Sequence, residues 1–146
     1  MQVSAPKWLI RQEIPVVDED LTADGAVSLL AVERWFTTVA AAYLDRCKSL
    51  HREPSLALNL RLDAPLDPAP LGRPTKVVAS ASASQLRPDA LTIELRVRPV
   101  GPNAGARIGN LCVVTLLNTA TCLPQPMDAV IRAELLALER AARHNN

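Results

Sequence analysis

Aromatic side chains are nearly missing from this 146-residue chain: two tryptophans, one tyrosine and one phenylalanine make up 3% of it, against an apolar fraction of 49%. Alanine, leucine and valine must therefore fill its interior. Histidine is as scarce, with only His51 and His144. Cysteine occurs three times, at Cys47, Cys112 and Cys122, widely spaced and with no CxxC pair. That pattern argues against a disulfide framework, a Cys-His nucleophile and a clustered metal site, and predicts reduced, mostly buried thiols. Charge of one sign is lacking too. A net charge of +1 with no basic run leaves no electrostatic footprint for nucleic acid. Apolar runs are cut by charges well short of the ~20 residues that a membrane span needs. The opening MQVSAPKWLIRQE has no apolar signal core, so the expectation is a cytoplasmic protein with no membrane partner, no metal and no cofactor.

What is present is alternation. In WLIRQEIPVV, Trp8, Ile10, Ile14 and Val16 share one face while Arg11 and Glu13 share the other, the period of a strand. Pro15 removes an amide donor and points to a sheet edge or bulge. From Gly25 to about Lys48 the pattern becomes helical, rich in helix formers and free of proline. Its apolar residues, Val27, Leu30, Val32, Trp35, Phe36, Val39, Tyr43 and Leu44, cover most of the circumference, which predicts a helix buried on nearly every side. Asp24, just before Gly25, has the character of an N-cap.

Four further strands follow. SLALNLRLD places Leu56, Leu58, Leu60 and Leu62 on one face. KVVASASASQL sets Ala79, Ala81 and Ala83 against Ser80, Ser82 and Ser84. LTIELRVRPV sets Leu91, Ile93, Leu95 and Val97 against Thr92, Glu94, Arg96 and Arg98. RIGNLCVVTLLNTATCL is longer and more evenly apolar, as a central strand should be. MDAVIRAELLALERAAR closes the chain as an amphipathic helix with Val130, Ile131, Leu135 and Leu138 near one stripe. The order is strand, long helix, four strands, helix, within one domain over 1–146. Strands joined by short turns pair antiparallel, and the long helix must be wrapped by their sheet.

With this element order, the chain resembles the hotdog-fold acyl thioesterases, and most of all the 4-hydroxybenzoyl-CoA thioesterase-like group. The resemblance implies an α+β fold in which a curved antiparallel sheet of about five strands wraps a long central helix, followed by a C-terminal helix. Its local support is DLTADGAV, residues 20–27. The group carries an Asp-x-Asp-x-x-Gly-His-Val-type motif before the helix, with the second aspartate catalytic. Asp20, Gly25 and Val27 match it, whereas Thr22 stands at the catalytic aspartate and Ala26 at the histidine.

The implied function is hydrolysis of an acyl-CoA or acyl-carrier-protein thioester by a mechanism that departs from the group's usual one. Such chemistry needs a polariser for the carbonyl and an activator for water. The amides of Gly25 and Ala26 are candidates for the first. The carboxylate is Asp20, Asp24 or Glu33, with Thr22 holding the water. Asp20, Thr22 and Glu33 are the catalytic candidates, and Arg96 and Arg98 are the candidates for the phosphates of coenzyme A. The resemblance also implies a homodimer or a dimer of dimers. The alternative is a hotdog protein that binds an acyl thioester, or only assembles, without hydrolysis; a hydratase or dehydratase ranks below both.

Overall fold

A computed structural model describes residues 8–144. Residues 1–7 of the opening segment, read above for a signal core, lie outside the described residues.

Five strands form a single sheet: β1 (Ile10–Pro15), β2 (Leu56–Leu62), β3 (Lys76–Leu86), β4 (Ala90–Val100) and β5 (Ile108–Asn118). Their spatial order is β1-β3-β4-β5-β2 and every pairing is antiparallel. The helices are α1 (Leu29–Asp45), the short α2 (Lys48–Arg52) and α3 (Ala129–His144). This is the α+β arrangement expected, a sheet wrapped on one long helix and closed by a second.

The alternation of β4 shows why the sheet has two faces. Leu91, Ile93, Leu95 and Val97 are buried against α1, while Glu94, Arg96 and Arg98 lie on the outer face. The aromatic shortage is met by placement: Trp35, Phe36 and Tyr43 project from α1 into a core made mainly of Val, Leu, Ile and Ala, with Cys47 and Cys112. β2 is the weakest part of the pattern. It is an edge strand, half-buried to exposed, with Leu60 open to solvent.

Helix α1 departs from expectation in three ways. It begins at Leu29, and its N-cap is Ser28, whose hydroxyl accepts the Ala31 N–H at 3.1 Å. Asp24 is therefore not the cap. Nor is the helix enclosed on every side: Leu29, Leu30, Glu33, Arg34, Thr37, Thr38 and Ala41 are exposed, and the buried stripe runs Ala31, Val32, Trp35, Phe36, Val39, Ala40, Tyr43, Leu44. Of the apolar residues read as covering its circumference, Leu30 lies on the open face. The far end stops at Asp45, and Lys48 opens α2 instead of closing α1. In α3, Ile131 and Leu135 are buried as expected, but Val130 is exposed.

Candidate active site

The stretch from Asp20 to Val27 is a small hairpin, not the first turn of the helix. Leu21 and Val27 form an antiparallel bridge, the Thr22 N–H donates to Ala26 O at 2.7 Å, and the Gly25 N–H donates to Thr22 O at 3.0 Å. Gly25 takes φ +86°, the left-handed position that such a three-residue loop needs. The Asp24-Gly25 pair was the signal for this turn. The Ser28 N–H then donates to Asp20 O at 2.8 Å, which ties the hairpin base to the helix cap.

Asp20 is buried at 1% exposure. Its carboxylate accepts the Val17 N–H at 3.0 Å and is paired with the Arg34 guanidinium. It faces its own loop and holds the hairpin against α1.

Thr22 and Asp24 are exposed, and the Thr22 hydroxyl donates to the Asp24 carboxylate. That bond is the main reason Asp24 sits below the usual carboxylate range, with backbone N–H groups of the loop and then Arg73 adding smaller effects. The Arg73 guanidinium donates to Asp24 O at 3.2 Å and lies over Gly25. A depressed carboxylate stabilises the folded loop above its ordinary pKa, and that contribution disappears as pH falls through the lowered value. In Thr22→Val, the Asp24 carboxyl should titrate closer to its ordinary value. Carboxyl carbon chemical shifts followed against pH check this, and an unmoved midpoint would exclude the hydroxyl as the cause.

The two amides expected to polarise a carbonyl differ in what they face. The Gly25 N–H is engaged by Thr22 O, and the Ala26 N–H is turned to the Asp24 carboxylate, which it helps to stabilise. Among the described residues, the N–H groups of Leu29 and Leu30 have no acceptor. Such orphan donors at a helix start carry the positive end of the helix dipole. Glu33 stands on the same exposed face, four residues after Leu29 and three after Leu30, about 6 Å along the axis. It makes no ion pair among the described residues.

Sequence reasoning offered Asp24 both as a cap and as one of three candidate carboxylates and did not single out Arg73; the hairpin brings both to the site. Beside α1 a cavity of about 210 Å³ is walled by Phe36, Leu66, Pro70, Ile108 and Asn110. Arg96 and Arg98 do not belong to this region. They lie on the outer face of β4.

Cys47 and Cys112 are buried and Cys122 is exposed. Burial pushes the Cys47 thiol up to about 11, far from a thiolate at neutral pH. No group of His, Cys, Asp and Glu among the described residues has metal-binding geometry, and none of their helices is long and apolar enough to cross a membrane.

No protein-family model matches the chain, and no curated protein matches it in sequence. Solved structures do match. A thioesterase-superfamily structure from Jannaschia sp. CCS1 aligns at TM-score 0.69 over 91% of this chain and 84% of its own, with 20% identity. The fold is the hotdog fold. A thioesterase from Thermus thermophilus, complexed with coenzyme A and zinc, aligns at TM-score 0.68 over 93% of this hotdog chain and 98% of its own, with 19% identity. A hypothetical protein from Staphylococcus aureus in complex with CoA aligns at TM-score 0.71 over 99% and 92%, with 12% identity. These are likenesses of fold.

Proposed function

We propose that the chain hydrolyses an acyl thioester carried by coenzyme A or by an acyl carrier protein. The carrying observation is the exposed face at the start of α1, where unengaged amides of Leu29 and Leu30 and the free carboxylate of Glu33 lie together beside the Thr22–Asp24 hairpin. The coenzyme A held by two of the matching structures supports the substrate class.

In this reading the thioester oxygen lies on the N–H groups of Leu29 and Leu30, in place of the engaged amides of Gly25 and Ala26, and they stabilise the negative charge that develops there. Thr22 and Asp24 hold the attacking water. Glu33 removes a proton as the water oxygen bonds to the carbonyl carbon, the carbon–sulfur bond breaks, and the departing thiolate takes that proton back from Glu33. Asp20 is a positioning residue acting through Arg34 and Val17. Arg96 and Arg98 take carrier phosphates. A homodimer built through the open β2 edge accounts for the exposure of that strand.

The test is hydrolysis across a panel of acyl-CoA and acyl-carrier-protein substrates. Glu33→Gln should lower kcat about 100-fold or more at unchanged melting temperature, within the range for a general base. Failure of every substrate, or full activity in Glu33→Gln, would overturn the assignment. One observation favours the alternative of binding without hydrolysis: Asp20, which aligns with the first aspartate of the motif, is fully engaged by Arg34. Retained acyl-CoA binding with no turnover is the result that reading predicts.

A further inference from the structure

The outer face of the sheet, opposite α1, gathers arginines from two strands and a turn. Arg11 of β1 pairs in register with Ser80 of β3, Ser80 with Arg96 of β4, and Arg96 with Gly109 of β5. Arg98 follows two residues later, and Arg107, just before the Val97–Ile108 pair, stands opposite it. Strand spacing puts the Arg11 and Arg96 backbones about 10 Å apart, and Arg96 and Arg98 about 7 Å apart. The positions next to Arg96, Ser80 and Gly109, are small, and Ser80 is covered by its neighbours. The Trp8 ring lies 4.8 Å from the Arg96 guanidinium and forms one wall.

None of these four arginines makes an ion pair among the described residues, and Glu13, the nearest carboxylate on β1, is within 3.9 Å of Lys76. Partial burial, and after it repulsion from Arg107, Arg98 and Arg11, pulls Arg96 below its usual value. With Lys76, Arg61, Glu13, Glu94 and Asp63 counted, this face holds six cations and three carboxylates. Its excess of three exceeds the net charge of +1 of the whole chain, so the rest of the surface is net negative. Like charges held this close are relieved by a ligand of opposite sign. Guanidinium forks suit phosphate oxygens in particular.

We propose that Arg11, Arg96, Arg98 and Arg107 form an oligophosphate-binding site, taking two or more phosphate groups linked within about 10 Å. A single phosphate reaches only part of the cluster. Linked phosphates span it, beside the Trp8 ring that carries Arg96. The ligand is a free nucleotide or the nucleotide end of coenzyme A. In the second case the site deepens the reading of Arg96 and Arg98 given above and rests on it.

The test is a titration of inorganic triphosphate, ATP and coenzyme A, with inorganic monophosphate as the control, into the wild-type chain and into Arg98→Gln/Arg107→Gln, followed by calorimetry and by tryptophan fluorescence. Both replaced residues are exposed and unpaired, so folding should be unaffected, and a melting curve confirms it. Triphosphate should bind the wild type at least tenfold more tightly than inorganic monophosphate does, weaken with added salt, and lose at least tenfold in the double variant. Arg61→Gln, on β2, should change nothing. ATP and triphosphate binding as tightly as coenzyme A assigns the site to free oligophosphates; tighter binding of coenzyme A assigns it to that carrier. No binding of any of the three, or equal affinity in the double variant, overturns the site. No step depends on turnover, so the outcome is independent of whether the chain hydrolyses thioesters.

Discussion

Glu139→Ala should lower the unfolding free energy by about 2–5 kcal/mol, because two buried donors lose their acceptor. Glu139 is a charged residue on α3, yet only 8% exposed. Its carboxylate accepts the Tyr43 hydroxyl at 2.7 Å, the Ser82 hydroxyl at 3.1 Å and the Ala83 N–H. β1 ends its pairing with β3 at Ile10 and Ala81, so the backbone of β3 beyond that point has no strand on that side. Glu139 takes the place of the missing strand at Ala83, and Ser82 accepts the Leu9 N–H at 3.1 Å.

In the alanine variant, the Tyr43 hydroxyl and the Ala83 amide are left without an acceptor in a dry environment, at about 1–3 kcal/mol for each group. Tyr43→Phe removes a donor and its bond together, and should cost no more than about 1.5 kcal/mol. Urea denaturation of the two variants checks the difference. A loss within about 1 kcal/mol of the wild type for Glu139→Ala would mean that water reaches the pocket and the network contributes little.

Gly105→Ala should cost about 3 kcal/mol, at the upper end of overpacking. Gly105 lies in the turn after β4, where its N–H donates to Leu71 O at 2.9 Å and the following Ala106 N–H donates to Pro70 O at 2.6 Å. An added Cβ would overlap the Pro70 carbonyl oxygen and come within 2.7 Å of the Leu71 carbonyl carbon and 2.9 Å of the Gly72 nitrogen. All three are backbone atoms, so no side chain can swing aside. The proline-rich connection between β2 and β3 must lift away, and Leu71, fully buried, moves with it. A lowered denaturation midpoint with new proteolytic cleavage between residues 64 and 73 is the expected result. An unchanged midpoint would show that the two turns separate at little cost.

The two kinds of prediction rest on information of different origin. Alternation in β4 was readable because side-chain direction follows the backbone residue by residue, whereas in the first half of β3 both faces are covered and Ser80 is buried with Ala79 and Ala81. Trp35, Phe36 and Tyr43 were readable as core because a chain with so few aromatics has little else to bury at that size. The start of α1 was misread since two local signals compete there: Asp24 and Ser28 both suit a cap, and tertiary contact through Asp20 O decides for Ser28. Glu139 was invisible for another reason. A glutamate in an amphipathic helix looks like a solvated residue until the strand edge beside it is known. Asp20 looked like a candidate for chemistry because Arg34, fourteen residues away, gives no sign in sequence of reaching it.

The order β1-β3-β4-β5-β2 also bears on how the chain reaches this structure. The β3–β4 and β4–β5 pairings join consecutive strands, whereas Ile10 meets Ala81 and Leu56 meets Asn118 across long intervening segments. Loop closure makes the distant pairings entropically expensive until something rewards them. The three-strand meander is therefore the natural folding nucleus, with α1 settling on it and the two outer strands arriving last. Chains whose contacts are this non-local fold in milliseconds to seconds, not microseconds. Throughout that interval β2, the strand that stays most open in the finished fold, is a free sticky edge.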